Sequence, residues 1–334
     1  MKLQLDSPLV IAEIGINHNG NIDRAIRMIR AARIAGCKCV KFQCHVIDDE
    51  YSQEGKDIIP PNATESIYNI MARCAFSEEQ DRELKELVES LGMIYLSTPF
   101  SRAAADRLER LGVTMYKIGS GECTNIPLLK HVAGFGKPVI LSTGMSSMSD
   151  IQDAVQIFSG VPLALLHCTS EYPTPYEHIR LGAMEQLDSL FGYCATIGLS
   201  DHSMGIYTCL AAVALGARVV EKHFTISRSW PGPDNPISIE PPELRDLVCG
   251  ADAIYRARGG NKIVLDGERA VAAFANASVT SVASIMKDEL LTRDNVWVRR
   301  PAGGIPAREY ERVIGTRARD DIPPDIQITW DMLE

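Results

Sequence analysis

Ionisable and hydroxyl side chains recur at the ends of short apolar segments along the first two-thirds of this sequence. Carboxylates, imidazoles, ammonium groups and hydroxyls are the side chains that move protons, hold metal ions and bind anions. Their regular recurrence predicts that several of them meet at one site. The segments lie at 10–14, 39–42, 93–96, 115–118, 139–141, 163–166, 196–199 and 219–220.

Two histidines, His202 and His223, follow the seventh and eighth of these segments. Two imidazoles together with oxygen ligands would leave positions open for water and substrate on a shared metal ion, as Lewis-acid chemistry requires. We therefore predict a metal site, with two separate structural histidines as the alternative. Two ligands do not identify the metal.

Two lysines, Lys41 and Lys117, each interrupt an apolar segment. A buried ammonium group is unfavourable unless it is paired, so we expect an anionic ligand or a carboxylate beside each lysine. Anion binding is favoured over a structural ion pair because small hydroxyl residues and glycine-rich turns accompany the lysines, and phosphate and carboxylate groups bind such donors. The hydroxyls are those of Ser120, Ser142, Thr143 and Ser200.

Four carboxylates, Glu13, Glu122, Glu221 and Asp234, are expected around the same site. They suit proton transfer, orientation of a sugar hydroxyl or support of a metal ion. Charge balance for the lysines and the metal is the alternative, and the residue pattern alone does not separate these roles.

The elements that would position these residues alternate between strand and helix. A helix is predicted over 22–35, with Asn21 as its N-cap and Gly36 ending it. Eight such repeats favour a (β/α)₈ barrel, in which every strand presents its carboxyl end at one rim and the active site lies there. Two long segments, 45–62 and 225–242, are predicted to be loops on that rim.

The pattern changes after residue 265, where helical periodicity gives way to short strand-like runs at 278–283, 295–298 and 326–329. We predict an α/β catalytic barrel over 1–265, a linker over 266–276 and a small, mostly β domain over 277–334.

Composition excludes several classes of function. The 334 residues carry a formal net charge of −9, which disfavours nonspecific binding to nucleic acid or to acidic membranes. Residues 1–16 lack a signal-peptide layout, and no segment is long enough for a membrane span. The nine cysteines are odd in number and contain no C-x-x-C pair, so they predict reduced thiols in a cytoplasmic protein.

Several short motifs in order resemble the phosphoenolpyruvate-dependent sialic acid synthases, a family that also makes legionaminic and pseudaminic acids. The C-terminal motif resembles the antifreeze-like (SAF) domain of that family, and the resemblance extends over essentially the whole chain. The motifs are IAEIGINHNG at 11–20, KFQ at 41–43, STPFS at 97–101, YKIGSGE at 116–122, LSTGM at 141–145, HCTSEYPTP at 167–175, GLSDHS at 198–203, EKHF at 221–224, PGPD at 231–234 and NVWVRRP at 295–301.

The resemblance implies a (β/α)₈ TIM barrel followed by an antifreeze-like SAF domain, in a homodimer whose small domain caps the partner's barrel. It implies that His202 and His223 bind a divalent cation, first Mn²⁺, with Mg²⁺ or Co²⁺ as alternatives. Phosphoenolpyruvate would be held by Lys41, Thr98, Lys117, Ser120, Ser142 and Ser200. The sugar or the transferred protons would face Glu13, Gln43, Glu122, Tyr172, Glu221, Asp234 and, near the partner interface, Phe274 and Arg300.

One residue departs from many bacterial sialic acid synthases, which have asparagine where this chain has Ser170. A hydroxyl replaces only part of the hydrogen bonding of an amide, so the acceptor sugar is the least determined feature. We expect an N-acetylneuraminate synthase acting on N-acetylmannosamine. Its alternatives are a 2,4-diacetamido sugar, which would give legionaminic or pseudaminic acid, and a phosphorylated sugar.

Proton transfer is assigned first to Glu122 and then to Glu221, with Glu13 and Lys117 in the same catalytic group. Two further classes of function remain open at this point: a metal-dependent barrel hydrolase, and a carbohydrate-binding protein without catalysis.

Overall fold

The computed structural model describes residues 1–60 and 63–334 and divides into two compact units, Met1–Gly259 and Gly260–Glu334. Pro61 and Asn62, at the end of the first predicted loop, lie outside the described residues. The first unit contains eight strands: β1 Leu9–Gly15, β2 Cys39–Cys44, β3 Ile94–Pro99, β4 Tyr116–Ile118, β5 Val139–Ser142, β6 Leu163–Cys168, β7 Thr196–Asp201 and β8 Val219–His223.

The eight strands form one parallel sheet in the order β3-β2-β1-β8-β7-β6-β5-β4. The first and last strands are paired, which is how a sheet curls into a barrel. Strands β3 and β4 pack side by side, but no ladder joins them in the described part of the chain. β4 has only three residues. The predicted (β/α)₈ architecture is confirmed, with a seam at β3 and β4.

Helices follow the strands as predicted, and the first one shows why. Asn21 accepts a hydrogen bond from the Arg24 backbone, and Gly36 leaves the helix with a φ of +84°. The helices of this unit are Ile22–Ile34, Ile47–Glu50, Ile67–Cys74, Glu78–Ser90, Arg102–Arg110, Ile126–Ala133, Met148–Ile157, Tyr176–Ile179, Gly182–Phe191, Tyr207–Ala214 and Pro241–Ala257. No helix among the residues described combines the length and apolarity needed to cross a membrane.

The interior of the barrel has two layers. The lower layer, near the start of the strands, is an apolar cluster of Leu3, Leu9, Ile11, Cys39, Leu96, Ile140, Ala164, Leu166 and Val219. Because strand side chains alternate between the two faces, the residue two positions further along points into the same interior, closer to the carboxyl ends. These residues form the upper layer: Glu13, Lys41, Thr98, Ser142, Cys168 and Glu221, joined by Lys117 and Ser200.

The second unit has its own core and a two-stranded antiparallel sheet of β9 Ser278–Ser281 and β10 Val296–Arg299. Its helices are Arg269–Ala275 and Tyr310–Val313. The strand predicted over 326–329 was wrong. Gln327 forms an isolated bridge to Thr280, and Ile328 is buried in the core, held by single backbone hydrogen bonds to Val279 and Ile305 instead of a ladder.

Candidate active site

A cavity of about 430 Å³ opens at the carboxyl ends of the barrel strands, within the size range of small-molecule sites. Most predicted site residues line it: Glu13, Lys41, Gln43, Thr98, Lys117, Ser120, Ser142, Ser170, Tyr172, Ser200, His202, Glu221, His223 and Asp234. A larger cavity, about 630 Å³, lies at the opposite end around Leu3 and Arg218 and contains none of them. Catalysis in this fold takes place at the carboxyl ends, so the smaller cavity is the candidate active site.

Two buried lysines meet two buried carboxylates at the floor of this cavity. Lys41 Nζ lies 2.9 Å from Glu13 Oε2 and 3.7 Å from Glu221 Oε1. Lys117 Nζ lies 3.8 Å from Glu221 Oε1. Strand register produces this cluster, since Glu13 pairs with Lys41 across β1 and β2. The site therefore carries two ammonium groups and two carboxyl groups. Binding of a charged ligand or uptake of a proton changes the net charge of this cluster.

The pKa values of the Glu13 and Glu221 carboxyl groups are shifted in opposite directions. Burial raises the pKa of Glu13 to about 7, with the charge of Lys41 opposing the rise and that of Glu221 adding to it. For Glu221, burial is outweighed by Lys117, Lys41 and the Ser200 hydroxyl, so its pKa is lowered. Burial also lowers the pKa of Lys117. Near neutral pH, Glu221 is a charged acceptor whereas Glu13 is close to its midpoint.

Hydroxyl groups surround the lysines and offer further donors. Lys117 Nζ donates to Ser142 Oγ at 2.7 Å, and Ser200 Oγ donates to Glu221 Oε1 at 3.0 Å. The Gly144 backbone donates to Ser120 Oγ at 3.1 Å. A Cβ at position 144 would lie 2.8 Å from Ser120 Oγ and closer still to Ser170 Oγ. Any side chain there would clash with these two hydroxyls, so glycine is needed at this position. The combination of ammonium and hydroxyl groups suits a phosphorylated or carboxylated ligand.

The two predicted metal ligands lie together at the carboxyl ends of β7 and β8. The rings of His202 and His223 have centroids 5.4 Å apart, and Tyr172 packs 4.1 Å from the His202 ring. His202 Nδ1 donates to the Thr169 carbonyl at 2.8 Å. Burial lowers the pKa of His202, but Cys168 and the Thr169 carbonyl outweigh it, so the pKa is raised and a metal ion would have to displace a proton from Nε2. His223 Nδ1 is buried without a hydrogen-bond partner. Burial and the neighbouring cations hold the pKa of His223 well below its ordinary value, so that ring is neutral, as a metal ligand must be.

These residues fit an ion held by few protein ligands. Asp234 Oδ2 lies 3.8 Å from His223 Nδ1, and burial raises the pKa of Asp234 to about 6. Across residues 1–60 and 63–334, no group of three or more histidine, cysteine or acidic side chains is close enough to form a complete cage. Two neighbouring imidazole rings and a nearby carboxylate suit a cation that keeps water and substrate in its remaining positions, and do not suit a closed structural zinc site.

Four predicted site residues do not line this cavity. The Thr143 hydroxyl donates to the Leu166 carbonyl at 2.9 Å. Glu122 ends a short 3₁₀ turn, is half-buried and accepts a hydrogen bond from Asn125 Nδ2 at 2.6 Å, and it is not among the residues lining the cavity. Burial raises its pKa. Phe274 and Arg300 belong to the second unit, where both are exposed. Their roles remain predictions.

His45 was not identified from the sequence as a residue of the site. His45 Nδ1 lies 2.7 Å from Glu50 Oε2, and its Nε2 lies 3.0 Å from Gln43 Oε1, while the ring stacks on Phe100. The other end of the Gln43 amide donates to Glu13 Oε1 at 3.3 Å. His45 thus orients the residue that contacts Glu13, and its position two residues after Gln43 was the available signal.

An apolar wall faces these polar groups and was also missed. It is supplied largely by the helix Ile67–Cys74 and the residues before it, and Ile16, Ala63, Ile67, Ile70 and Met71 form it. Methyl and acyl groups of a ligand would find contacts there.

Comparison with known proteins matches residues 28–263 to the NeuB family and residues 276–334 to the SAF domain. The chain is 36% identical to the N,N'-diacetyllegionaminic acid synthase of Campylobacter jejuni, covering 95% of this chain and 97% of that protein. It is 32% identical to the N-acetylneuraminate-9-phosphate synthase of Homo sapiens, covering 97% and 92%. A crystal structure of N-acetylneuraminic acid synthetase from Leptospira borgpetersenii superposes with a TM-score of 0.73 at 34% identity, covering 81% of this chain and 95% of that one.

Proposed function

This chain belongs to the NeuB family, and we propose that it condenses phosphoenolpyruvate with the open-chain aldehyde of an N-acetylated amino sugar to give a nonulosonic acid. The family consists of synthases for sialic, legionaminic and pseudaminic acids, so the chain is a carbon–carbon bond-forming enzyme of the phosphoenolpyruvate-dependent type. One observation carries the proposal: a lysine and hydroxyl cluster for an anionic donor lines the same cavity as two neighbouring histidine rings.

The donor would lie over the upper layer of the barrel. Lys41 and Lys117 would neutralise its phosphate and carboxylate, and the hydroxyls of Thr98, Ser120, Ser142 and Ser200 would fix its orientation. Lys41 Nζ already lies 3.3 Å from Thr98 Oγ1. Holding the donor with its C3 toward the aldehyde converts a bimolecular encounter into a reaction between positioned groups.

His202 and His223 would hold a divalent cation, proposed to be Mn²⁺, which when bound supplies Lewis-acid polarisation of the aldehyde oxygen. Asp234, Tyr172, Gln43 and Ser170 line the same cavity and would contact the sugar. The apolar wall around Ile70 would face its acetamido methyl group.

In the reaction, C3 of phosphoenolpyruvate forms a bond to the aldehyde carbon, and the aldehyde oxygen takes up a proton to become a hydroxyl. The resulting cation at C2 adds water, which loses a proton. The bond between C2 and the phosphate oxygen then breaks, the C2 hydroxyl gives its proton to the departing phosphate, and the C2 carbonyl forms. Preorganised donors stabilise the charge that develops at each stage.

Glu13 and Glu221 are the carboxyl groups best placed for the two proton transfers. Glu13, with a pKa of about 7, can give a proton to the aldehyde oxygen, and the charged Glu221 can accept one from water. Glu122, the first expectation from sequence, lies outside the cavity lining and would act only through a change in the Ser120–Glu122 turn.

The proposal includes a domain-exchanged homodimer in which Arg300 of one protomer approaches the sugar bound by the other, and Phe274 also approaches the sugar. Family membership supports it, as does the second unit, whose Phe274 side chain is 64% exposed. A cytoplasmic location is also proposed. All nine cysteines are free, as expected in a reducing compartment.

N-acetylmannosamine is the first acceptor proposed, and a 2,4-diacetamido sugar is the second. Ser170 stands where many sialic acid synthases have asparagine, and the apolar wall gives a second acyl group a surface to contact. The legionaminic acid synthase of Campylobacter jejuni is among the similar proteins.

The test is to incubate purified protein with Mn²⁺, phosphoenolpyruvate and each acceptor, then follow phosphate release and product mass. One phosphate per nine-carbon acid formed is expected, and the preferred acceptor identifies the pathway. Sugar binding without loss of phosphoenolpyruvate would instead establish a binding protein. Turnover of the sugar without phosphoenolpyruvate would establish a hydrolase.

A further inference from the structure

A buried ion pair lies directly behind the two histidines. Asp201 ends β7 and precedes His202, whereas Lys222 lies in β8 and precedes His223, and the two are register partners across the ladder. Asp201 Oδ2 and Lys222 Nζ are 2.8 Å apart, and both side chains are 0% exposed. Because strand side chains alternate, this pair points away from the cavity while the histidines point into it.

The pair interrupts an otherwise apolar row. On the same outer face of these strands, Ile197, Leu199, Val220 and Phe224 all belong to the main hydrophobic core. Ion pairs in such surroundings contribute little net stability compared with well-packed apolar residues. Packing alone therefore gives no reason for charges at this level, one residue before each proposed metal ligand.

The carboxylate gathers donors from three elements. Besides Lys222, Asp201 accepts from the Ser203 backbone at 3.1 Å, Ser203 Oγ at 3.0 Å, Thr208 Oγ1 at 2.8 Å and Cys209 Sγ at 3.4 Å. Lys222 Nζ also donates to the Ser203 carbonyl. The network joins the end of β7, the turn that carries His202, the helix Tyr207–Ala214 and β8. The backbone on either side of His202 is thereby fixed relative to His223.

We propose that the Asp201–Lys222 pair is a positioning element that sets the separation of His202 and His223 and thereby the affinity of the site for its divalent cation. This inference rests on the metal site of the proposed function. It assigns the pair no contact with substrate or with reacting atoms.

The test measures Mn²⁺ binding to the metal-free full chain from the electron paramagnetic resonance signal of unbound Mn²⁺, so it needs no turnover. Lys222→Met and Asp201→Asn keep the shape of each side chain and remove its charge. We expect the Kd for Mn²⁺ to rise by about tenfold, the lower end of what outer-shell changes produce at metal sites. The KM for phosphoenolpyruvate should change less than about twofold, because the lysine and hydroxyl cluster is not altered.

Asp81→Asn is the matched control. Buried Asp81 and partly exposed Arg107 form another ion pair, 3.3 Å apart, on the helices outside the barrel. Asp81→Asn should leave Mn²⁺ binding unchanged. If Lys222→Met or Asp201→Asn yields no folded protein, Thr208→Val and Ser203→Ala each remove one donor to Asp201 and should weaken Mn²⁺ binding by about threefold, a partial form of the same outer-shell effect.

The outcomes separate the two proposals. Wild-type protein that binds Mn²⁺, with variants that lose only Tm, would overturn the positioning role and leave the metal site intact. Wild-type protein that does not bind Mn²⁺ would overturn the metal site and the positioning role together.

Discussion

The two layers inside the barrel are built from the same strands, yet their physical chemistry is opposite. The lower layer holds Leu9, Ile11, Leu96, Ile140 and Leu166, whose burial stabilises the fold. Two residues further along, the upper layer holds lysines, carboxylates and hydroxyls at nearly the same degree of burial. A sequence selected only for stability would have apolar residues in both layers.

The difference shows where this molecule trades stability for function. Burial opposes the charge on Glu13 and Lys117 more than their neighbours favour it, so these two groups are held in an unfavourable state when no ligand is bound. An anionic donor would relieve part of that imbalance. The two layers should therefore respond in opposite ways to substitution.

The largest expected effect is on activity in the upper layer. Lys117→Met should reduce kcat/KM for phosphoenolpyruvate by about 10²–10³-fold, the size of effect seen when a preorganised donor is removed from an active site. Tm should change little, because burial disfavours the charge on Lys117 whereas its removal takes one of two cationic neighbours from Glu221. Steady-state kinetics and thermal unfolding check both parts. If Lys117→Met keeps its activity, or has a Tm far below that of wild type, the proposed difference between the two layers is wrong.

The second effect is on stability in the lower layer. Leu166→Ala should reduce the free energy of unfolding by about 3 kcal/mol, since Leu166 is fully buried and its removal leaves a cavity. Its kcat/KM, measured well below the new Tm, should remain within about threefold of wild type because the upper layer is untouched. Denaturant titration gives the first quantity. A large loss of kcat with little loss of stability would show that the layers are not separable.

The smallest effect sharpens the contrast through pH. The Glu13 pKa of about 7 means that Glu13 is largely neutral at pH 6 and anionic at pH 8, where it would repel the anionic donor. As pH rises from 6 to 8, KM for phosphoenolpyruvate should therefore increase more in wild type than in Glu13→Gln. The ratio of the wild-type KM to the variant KM should increase by about fivefold over this range. A pKa shift of one full unit would correspond to tenfold. Taking the ratio cancels the titration of the donor itself.

The Glu13 carboxyl group also makes the stability of the fold depend on pH, and this dependence can be measured without an activity assay. A carboxyl pKa raised on folding adds stability that is fully present below the unfolded value of 4.5 and is lost as pH rises through about 7. Glu13→Gln should therefore gain Tm relative to wild type across that interval. If Tm varies with pH in the same way for wild type and Glu13→Gln, Glu13 does not titrate in this range.

Much of the fold was predictable because it depends on local patterns. Helix Ile22–Ile34 began after its Asn21 cap and ended before Gly36, and apolar segments became strands at each predicted place. The convergence of His202, His223, Lys41 and Lys117 followed from strand ends alone, because a closed parallel sheet leaves those ends no other arrangement.

What the sequence did not predict depends on contacts between distant residues. The Asp201–Lys222 pair joins residues on different strands, and no periodicity marks it. Glu122 follows β4 as closely as other site residues follow their strands, yet the Ser120–Glu122 turn directs its carboxylate to Asn125. The run 326–329 looks like a strand, but its hydrogen bonds go to separate partners in the small unit. Side-chain direction and partner choice are set by packing, which a linear pattern does not contain.

The pairing of the first strand with the last has a consequence for how the chain is assembled. Leu9 pairs with Val219, so the ladder between β1 and β8 joins parts of the chain at opposite ends of the barrel sequence. Contacts of such high separation form slowly, because the intervening chain must first be organised. During synthesis, residues 9–15 emerge early and have no β8 to pair with until residues 219–223 follow. Until then β1 is an unpaired apolar edge, the kind of surface through which nascent chains associate wrongly. The ladder that completes the active site is thus also the last to become available, and a chain interrupted before β8 would expose that edge without ever acquiring His223.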